Sequence, residues 1–471
     1  MIKERRRKNN MSVIAGFMVP HPPLIVPAVG KGEERKIAKT IASYEEVARQ
    51  IAELEPDTII ISSPHSIMYA DYFHISPGKH ASGSLKRFRA PEVSFEEEYD
   101  SELRDKICEL SDNIDFPCGI LGEKDPELDH GTMVPLYFIR QKYSRGKIVR
   151  LGLSGLPLSD HYRLGMIIKQ AVDELDRKVV YVASGDLSHK LQEYGPYGFA
   201  KEGPEYDTRI MDMASRAAFG EMFDFSEDFC DKAAECGHRS FVIMAGCFDG
   251  MDVEAKALSH EDITGVGYGI CTFYPQGNNE ERRFLDQYET KRTAELKEKI
   301  DNSDAYVRLA RSAVEYYVIH RKRLPLPDDL PEEMLNRKAG AFVSIHKLGR
   351  LRGCIGTIMA TRENVAEEII SNGISASSRD PRFDPIRPDE LKDLEINVDV
   401  LGEIEDIDSA EQLDVKRYGV IVSCGSRRGL LLPDLEGVDT IEEQIDIARE
   451  KGGIGRNENY TLQRFEVIRH Y

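Results

Sequence analysis

Lys178 to His189 reads K-V-V-Y-V-A-S-G-D-L-S-H, and this stretch decides the fold. Val179, Val180 and Val182 make a β-branched apolar run without polar alternation, the pattern of a strand buried on both faces of a parallel sheet. Ser184-Gly185-Asp186 ends the run, and the titratable Asp186 and His189 follow where the strand empties into a loop. The arrangement occurs twice upstream. Ser12 to Val19 leads into Pro20-His21-Pro22-Pro23, and Thr58 to Ile61 into Ser62-Ser63-Pro64-His65-Ser66. A helical pattern from Glu33 to Leu54 joins the first two into a β-α-β unit, and right-handed crossover puts both histidines on one sheet edge. Parallel strands point all their C-terminal loops the same way, so ligands and chemistry collect at that edge.

The chain has 471 residues, too many for one core, and two or three domains are expected. A net charge of −19 argues against non-specific nucleic-acid binding, which needs clustered lysine and arginine. Eight cysteines are scattered without a C-x-x-C pair, which fits a reducing compartment. The basic start, M-I-K-E-R-R-R-K-N-N, and the apolar run behind it mimic a signal peptide, but prolines break the run, and Met11 reads as the initiator. No stretch reaches the roughly 18 apolar residues of a membrane helix. The expectation is a cytoplasmic protein with no membrane or nucleic-acid partner, self-association being left open.

The expected fold class is an α/β N-terminal domain, with a mixed, largely parallel sheet and flanking helices, followed by a smaller α+β domain with antiparallel strands. Residues 66–100 read as an irregular polar excursion, a candidate pocket wall. A helix is expected from about Val134, others over His161–Leu175, 200–228 and Ser240–Phe248, and a closing strand at Cys271–Tyr274. Composition shifts after Pro275. The predicted bounds are therefore 11–275 for the first domain, 276–304 for a charged helical linker, and 305–471 for the second domain. There the pattern is helix Ala305–Ile319, a hairpin within Ala339–Ile358, helix Arg362–Ser378, strand Leu394–Leu401, a second hairpin over Gly419–Leu432, helix Thr440–Glu450 and a last strand Tyr460–Ile468.

One histidine after a strand is ordinarily a loop residue bonded to backbone; several at equivalent loop positions are not required by folding. His21 and His65, with Glu235 or Cys236 as third donor, form a candidate facial triad that leaves open positions on a metal. His130, His189 and Asp186 are then candidate acids and bases around those positions. His74 and His161 are read as surface or packing residues.

The segments H-P-P-L at His21, S-P-H at His65, L-D-H-G-x-x-V-P-L over Leu128–Leu136 and S-G-D-L-S-H resemble the class III extradiol dioxygenases, the superfamily that includes the Memo proteins. The likeness implies His21 and His65 as metal ligands, His189 as acid/base and His130 as an orienting residue. It implies Fe(II), a catechol-like or other small aromatic substrate and dioxygen. E-C-G-H-R-S departs from the ring-cleaving pattern: Cys236 aligns with the Memo cysteine, and Glu235 stands beside it. Glu235 would suit Fe(II) and oxygen chemistry; Cys236 would suit a softer or redox-active ion such as zinc or copper. The alternative is a Memo-like metal-binding module without ring cleavage, working with a radical-SAM partner.

The second domain resembles the AMMECR-type domain through L-R-G-C-I-G (Leu351–Gly356) and S-R-D-P-R-F (Ser378–Phe383). Arg352, Arg379 and Arg382 are candidates to hold a carboxylate or phosphate, or else form local salt bridges with Asp380 and Asp384. Gly353 permits close backbone approach. Cys354 is a nucleophile or a small core residue, and no His or Lys lies near it in sequence to lower its pKa.

Overall fold

The computed structural model describes residues 13–124, 127–435 and 437–471. Met11 and the basic start lie outside the described residues. The chain divides into two compact units, 1–289 and 290–471.

The strands of the first unit are β1 Val13–Val19, β2 Thr58–Ser63, β3 Phe73–His74, β4 His80–Leu85, β5 Ala90–Glu98, β6 Cys118–Gly119, β7 Lys147–Gly152, β8 Val179–Ser184, β9 Met251–Glu261 and β10 Tyr268–Asn278. Six of them form one mixed sheet in the order β7-β2-β8-β1-β10-β9. The first four run parallel, and β10 and β9 are antiparallel additions at one edge. Every residue of β8 is buried. Val179, Tyr181 and Ala183 face one core and Val180 and Val182 the other, which explains a run without polar alternation. The helices Leu158–Glu174 and His238–Gly246 contribute to the first core, and Ala38–Leu54 and His130–Lys142 to the second. Because β2, β8 and β1 are adjacent and parallel, His65, Asp186 and His21 emerge side by side.

Several expected elements are corrected. Residues 66–100 are not irregular; they hold the antiparallel hairpin of β4 and β5. The helix expected near Val134 begins at His130, because the Asp129 carboxylate accepts the Thr132 N–H at 3.0 Å as an N-cap. The closing strand is longer than expected and passes residue 275. Residues 276–304 hold the end of that strand and the helix Phe284–Asn302, within which the two units divide.

In the second unit, β11 Ala341–Lys347, β12 Arg350–Gly356, β13 Leu394–Ile407, β14 Tyr418–Cys424, β15 Arg427–Leu431 and β16 Thr461–His470 form an antiparallel sheet, ordered β12-β11-β13-β16-β14-β15. Leu348 and Gly349, at φ 56° and 76°, supply the paired left-handed conformations of a tight hairpin between β11 and β12. The helices Ala305–His320 and Val365–Ser378 share a core with Val343, Ile345, Ile396, Val398 and Val400.

Candidate metal centre

The three strand ends converge on one cluster. His21 is buried, its backbone N–H donating to Asp186 Oδ1 at 2.7 Å. Ser184 Oγ donates to the Gly131 carbonyl at 2.6 Å, so towards the His21 Nδ1, at 3.0 Å, it acts as acceptor. That bond fixes the proton on Nδ1 and leaves Nε2 as the lone-pair atom. His21 Nε2 lies 3.0 Å from His65 Nε2 and 3.6 Å from Cys236 Sγ.

Cys236 arrives from the turn before helix His238–Gly246, and two glycines set how close it comes. A Cβ on Gly185 would lie 2.0 Å from the Gly237 Cα, so only bare backbone lets the β8 loop and this turn touch. The contact brings the Asp186 N–H to 3.3 Å from Cys236 Sγ. Glu235, the other candidate third donor, is turned away: its carboxylate accepts the His238 N–H at 2.6 Å and caps that helix. Cys236, and not Glu235, joins the imidazoles.

Donor atoms of His21, His65 and Cys236 all lie within 4.8 Å of one another, as do those of Asp186, His189 and Cys236. Separations of 3.0 and 3.6 Å suit donors sharing one ion, whose bonds run about 2.1 Å to nitrogen and 2.3 Å to sulfur. His189 Nε2 is buried without a hydrogen-bond partner among the described residues and stands 3.9 Å from Asp186 Oδ2. The residues therefore fit a metal ion, with the Asp186–His189 pair beside it.

The electrostatics agree. Burial, and then the neighbouring imidazole His65, push His21 down to about 3 and His130 likewise to about 3. Burial also lowers His65 and His189. Neutral imidazoles are the ligating form. Burial raises Asp186 to about 6 against the opposing pull of His189 and the His21 N–H, and it raises the Cys236 thiol well above its ordinary value. Burial thus raises the carboxyl and lowers the imidazole, which narrows the gap between their proton affinities and eases proton passage between them.

His130 lies against the cluster, its ring centroid 4.0 Å from that of His65 and 5.4 Å from that of His21. Its helix is held to β2 by Asp129, which accepts from Ser63 Oγ at 2.6 Å. A pocket of about 210 Å³ opens here, lined by His65, Arg87, Phe88, Asp129, His130 and Met133. Phe88 and Arg87 come from the turn between β4 and β5, so the wall expected over 66–100 is a hairpin tip. On the other side, the Tyr197 ring stacks on His189 at 5.1 Å. His74 and His161 are buried packing residues, bonded to the Leu121 and Pro157 carbonyls.

No motif or spacing signals the support behind His189. Asp207, buried in helix Glu202–Arg216, accepts the Ser188 N–H at 2.9 Å and binds His260 Nε2 at 2.7 Å.

In the second unit two of the arginines, expected either to meet an external anion or to form local salt bridges, close on the chain itself. Arg352 grips Glu390 at 3.0 and 3.1 Å and the Asp384 carbonyl at 2.8 Å. Arg382 grips Asp380 at 2.7 and 2.9 Å. The close approach at Gly353, read as room for a ligand, is made by the chain itself: a Cβ there would be 2.2 Å from the Ala376 carbonyl oxygen. Arg379 is exposed at the end of helix Val365–Ser378.

Among the described residues, no helix is long and apolar enough to cross a membrane, and all eight cysteines are free.

Comparison with known proteins places both units. Residues 15–271 match the family model of the catalytic LigB subunit of aromatic ring-opening dioxygenase, and residues 307–470 match the AMMECR1 model. A protein of Clostridium acetobutylicum is 43% identical over 468 residues, covering 98% of this chain and 99% of its own length. A protein of Thermotoga maritima is 49% identical over 167 residues, 35% of this chain and 96% of its own. Among solved structures, an uncharacterised protein of Pyrococcus horikoshii matches at 32% identity and TM-score 0.33, over 35% of this chain and 88% of that one. The chain is a member of the LigB family, that of the catalytic subunit of aromatic ring-opening dioxygenases, and it carries an AMMECR1 domain behind the LigB domain.

Proposed function

We propose that the first domain is a Memo-like metal-binding redox or regulatory module in which His21, His65 and Cys236 hold a soft or redox-active transition ion. The observation that carries this reading is the exchange of partners at 235 and 236: the thiol faces the imidazoles, while the carboxylate caps a helix. Two imidazoles and a thiolate suit zinc or copper, whereas the Fe(II) oxygenase triad needs a carboxylate in the thiol's place. When bound, the ion supplies Lewis acidity and, if copper or iron, a one-electron couple.

The remaining work falls to the chain. Ser184 keeps the His21 Nε2 unprotonated. Asp186 and His189 take and return a proton at their facing atoms, Oδ2 and Nε2. Phe88, His130 and Arg87 hold a small molecule in the pocket beside His65. The AMMECR1 domain, a radical-SAM partner and a cytoplasmic location complete the proposal.

A second reading, ring opening of a catechol-like substrate with Fe(II) and dioxygen, is favoured by the pocket. Its volume of about 210 Å³ takes one aromatic ring, as an apolar cavity of about 150 Å³ takes benzene. Loading the protein anaerobically with Fe(II), Cu(I) or Zn(II), then adding catechols and air, separates the two. Retention of copper or zinc with no coloured ring-opened product supports the Memo-like centre. Iron retention with such a product establishes the second reading and overturns the first.

A further inference from the structure

We infer that the loop 190–200 is a cover over His189 and that Tyr197 is its gating residue: the Tyr197 ring keeps water from the His189 imidazole, and a molecule that meets His189 Nε2 enters by displacing that ring. The inference rests on the reading of His189 as a proton carrier of the metal centre. The His189 Nε2 is buried and yet has no hydrogen-bond partner among the described residues. Burying an imidazole nitrogen unpaired costs free energy, and an orphaned atom at a reactive site marks a place kept for an incoming group. Asp186 Oδ2, at 3.9 Å, stands outside hydrogen-bond reach and does not fill that place.

The loop is a closed strap. Leu191 and Phe199 pair as an antiparallel bridge, and the Ala200 N–H donates to the Lys190 carbonyl at 3.1 Å, so the chain leaves and returns at one point. Surface loops with their ends held together in this way are frequently functional. One shoulder is pinned to the turn between β9 and β10: a Cβ on Gly265 would lie 2.6 Å from the Gly195 Cα, and the Leu191 N–H donates to the Gly265 carbonyl at 3.2 Å. The far side is the turn Gly195-Pro196-Tyr197-Gly198, closed by the Gly198 N–H on the Gly195 carbonyl at 3.3 Å. Pro196 pre-sets this turn, and Gly198, at φ 74°, takes the chain away behind Tyr197.

What holds the Tyr197 ring is His189 itself. The residue is 59% exposed, so apolar burial does not anchor it, and its hydroxyl has no hydrogen-bond partner among the described residues. The two rings lie stacked, with centroids 5.1 Å apart and planes at 25°. A stack of this kind is enough to set a resting position and small enough to be exchanged for the contacts of an arriving molecule. With the ring in place, the proton shared between Asp186 and His189 is kept from leaking to water.

The test treats the full chain, loaded with Zn(II), with diethyl pyrocarbonate and reads the modification rate of each histidine by peptide mass spectrometry. The exposed His80 supplies the reference rate. In the wild type His189 is expected to react more slowly than His80. In Tyr197→Ala its rate is expected to rise about tenfold, the scale of a lost ring stack. Tyr197→Phe keeps the ring and is expected to keep the wild-type rate. Zinc content is expected to be equal in all three proteins. Wild-type protection of His189 in Tyr197→Ala, or a wild-type His189 as reactive as His80, would overturn the inference. Loss of zinc in Tyr197→Ala alone would overturn it as well, because the ring would then support the donor set. A wild type that holds no zinc counts against the metal reading, while the rates at His189 still decide the cover.

Discussion

Replacing Gly185 by alanine tests the geometry of the centre without touching a donor. The new Cβ would lie 2.0 Å from the Gly237 Cα, about 1.4 Å short of ordinary van der Waals contact, and both groups are backbone. Overpacking of this kind costs about 1–3 kcal/mol. The strand end is fixed by the sheet, so the turn carrying Cys236 must yield. Cys236 Sγ now stands 3.6 Å from His21 Nε2. A retreat of about 1.4 Å takes it to roughly 5 Å, beyond the roughly 4.4 Å that a nitrogen and a sulfur on one ion can span. The thiol drops out of the donor set while all three donors remain in the chain. Metal affinity, measured by competition with a chromophoric chelator at a temperature where the variant is folded, is expected to fall at least tenfold. Affinity equal to wild type in a folded Gly185→Ala protein would refute the claim that this glycine contact assembles the site.

Further predictions concern protons and support. His21, His130 and His238 are pushed by burial to about 3, 3 and 4, below the unfolded value near 6.5, so the unfolded chain binds their protons first. Their contribution to stability is whole above pH 6.5 and is lost as pH falls towards 3; Asp186, raised to about 6, opposes this by losing stability as pH rises from about 4 through 6. Melting of the metal-free protein should therefore fall between pH 6.5 and 4, with a shallower slope in His130→Gln; equal slopes would contradict the assignment. Asp207→Ala leaves the buried Ser188 N–H and His260 without their partner, and a loss of about 1–3 kcal/mol in chemical denaturation is expected. Glu235→Ala removes a helix cap, and a cost of about 0.5–2 kcal/mol with unchanged metal content is expected.

What could be read in advance followed from local pattern. The run Val179–Val182 has no solvent face, and a strand buried on both sides must lie inside a sheet; its order and direction then put His21, His65 and Asp186 at one edge. The choice between Glu235 and Cys236 was not legible, because neighbouring residues point apart and the backbone decides which faces inward. Here Ala234, left-handed at φ 52°, ends the preceding helix and turns the Glu235 carboxylate onto the next one. The hairpin of β4 and β5 escaped notice since Ser82, Gly83, Ser84 and Glu96–Glu98 carry no apolar alternation strong enough to mark a two-stranded ribbon. Glu390 beneath Arg352 is a tertiary neighbour, and no spacing in the sequence signals it.

The most direct measurement is metal content of the purified, reloaded protein by mass spectrometry in wild type, Cys236→Ser and Glu235→Gln. The account predicts one ion per chain in wild type and in Glu235→Gln, and loss of that ion in Cys236→Ser. Loss in Glu235→Gln with full occupancy in Cys236→Ser would contradict it and return the centre to a carboxylate-ligated iron site.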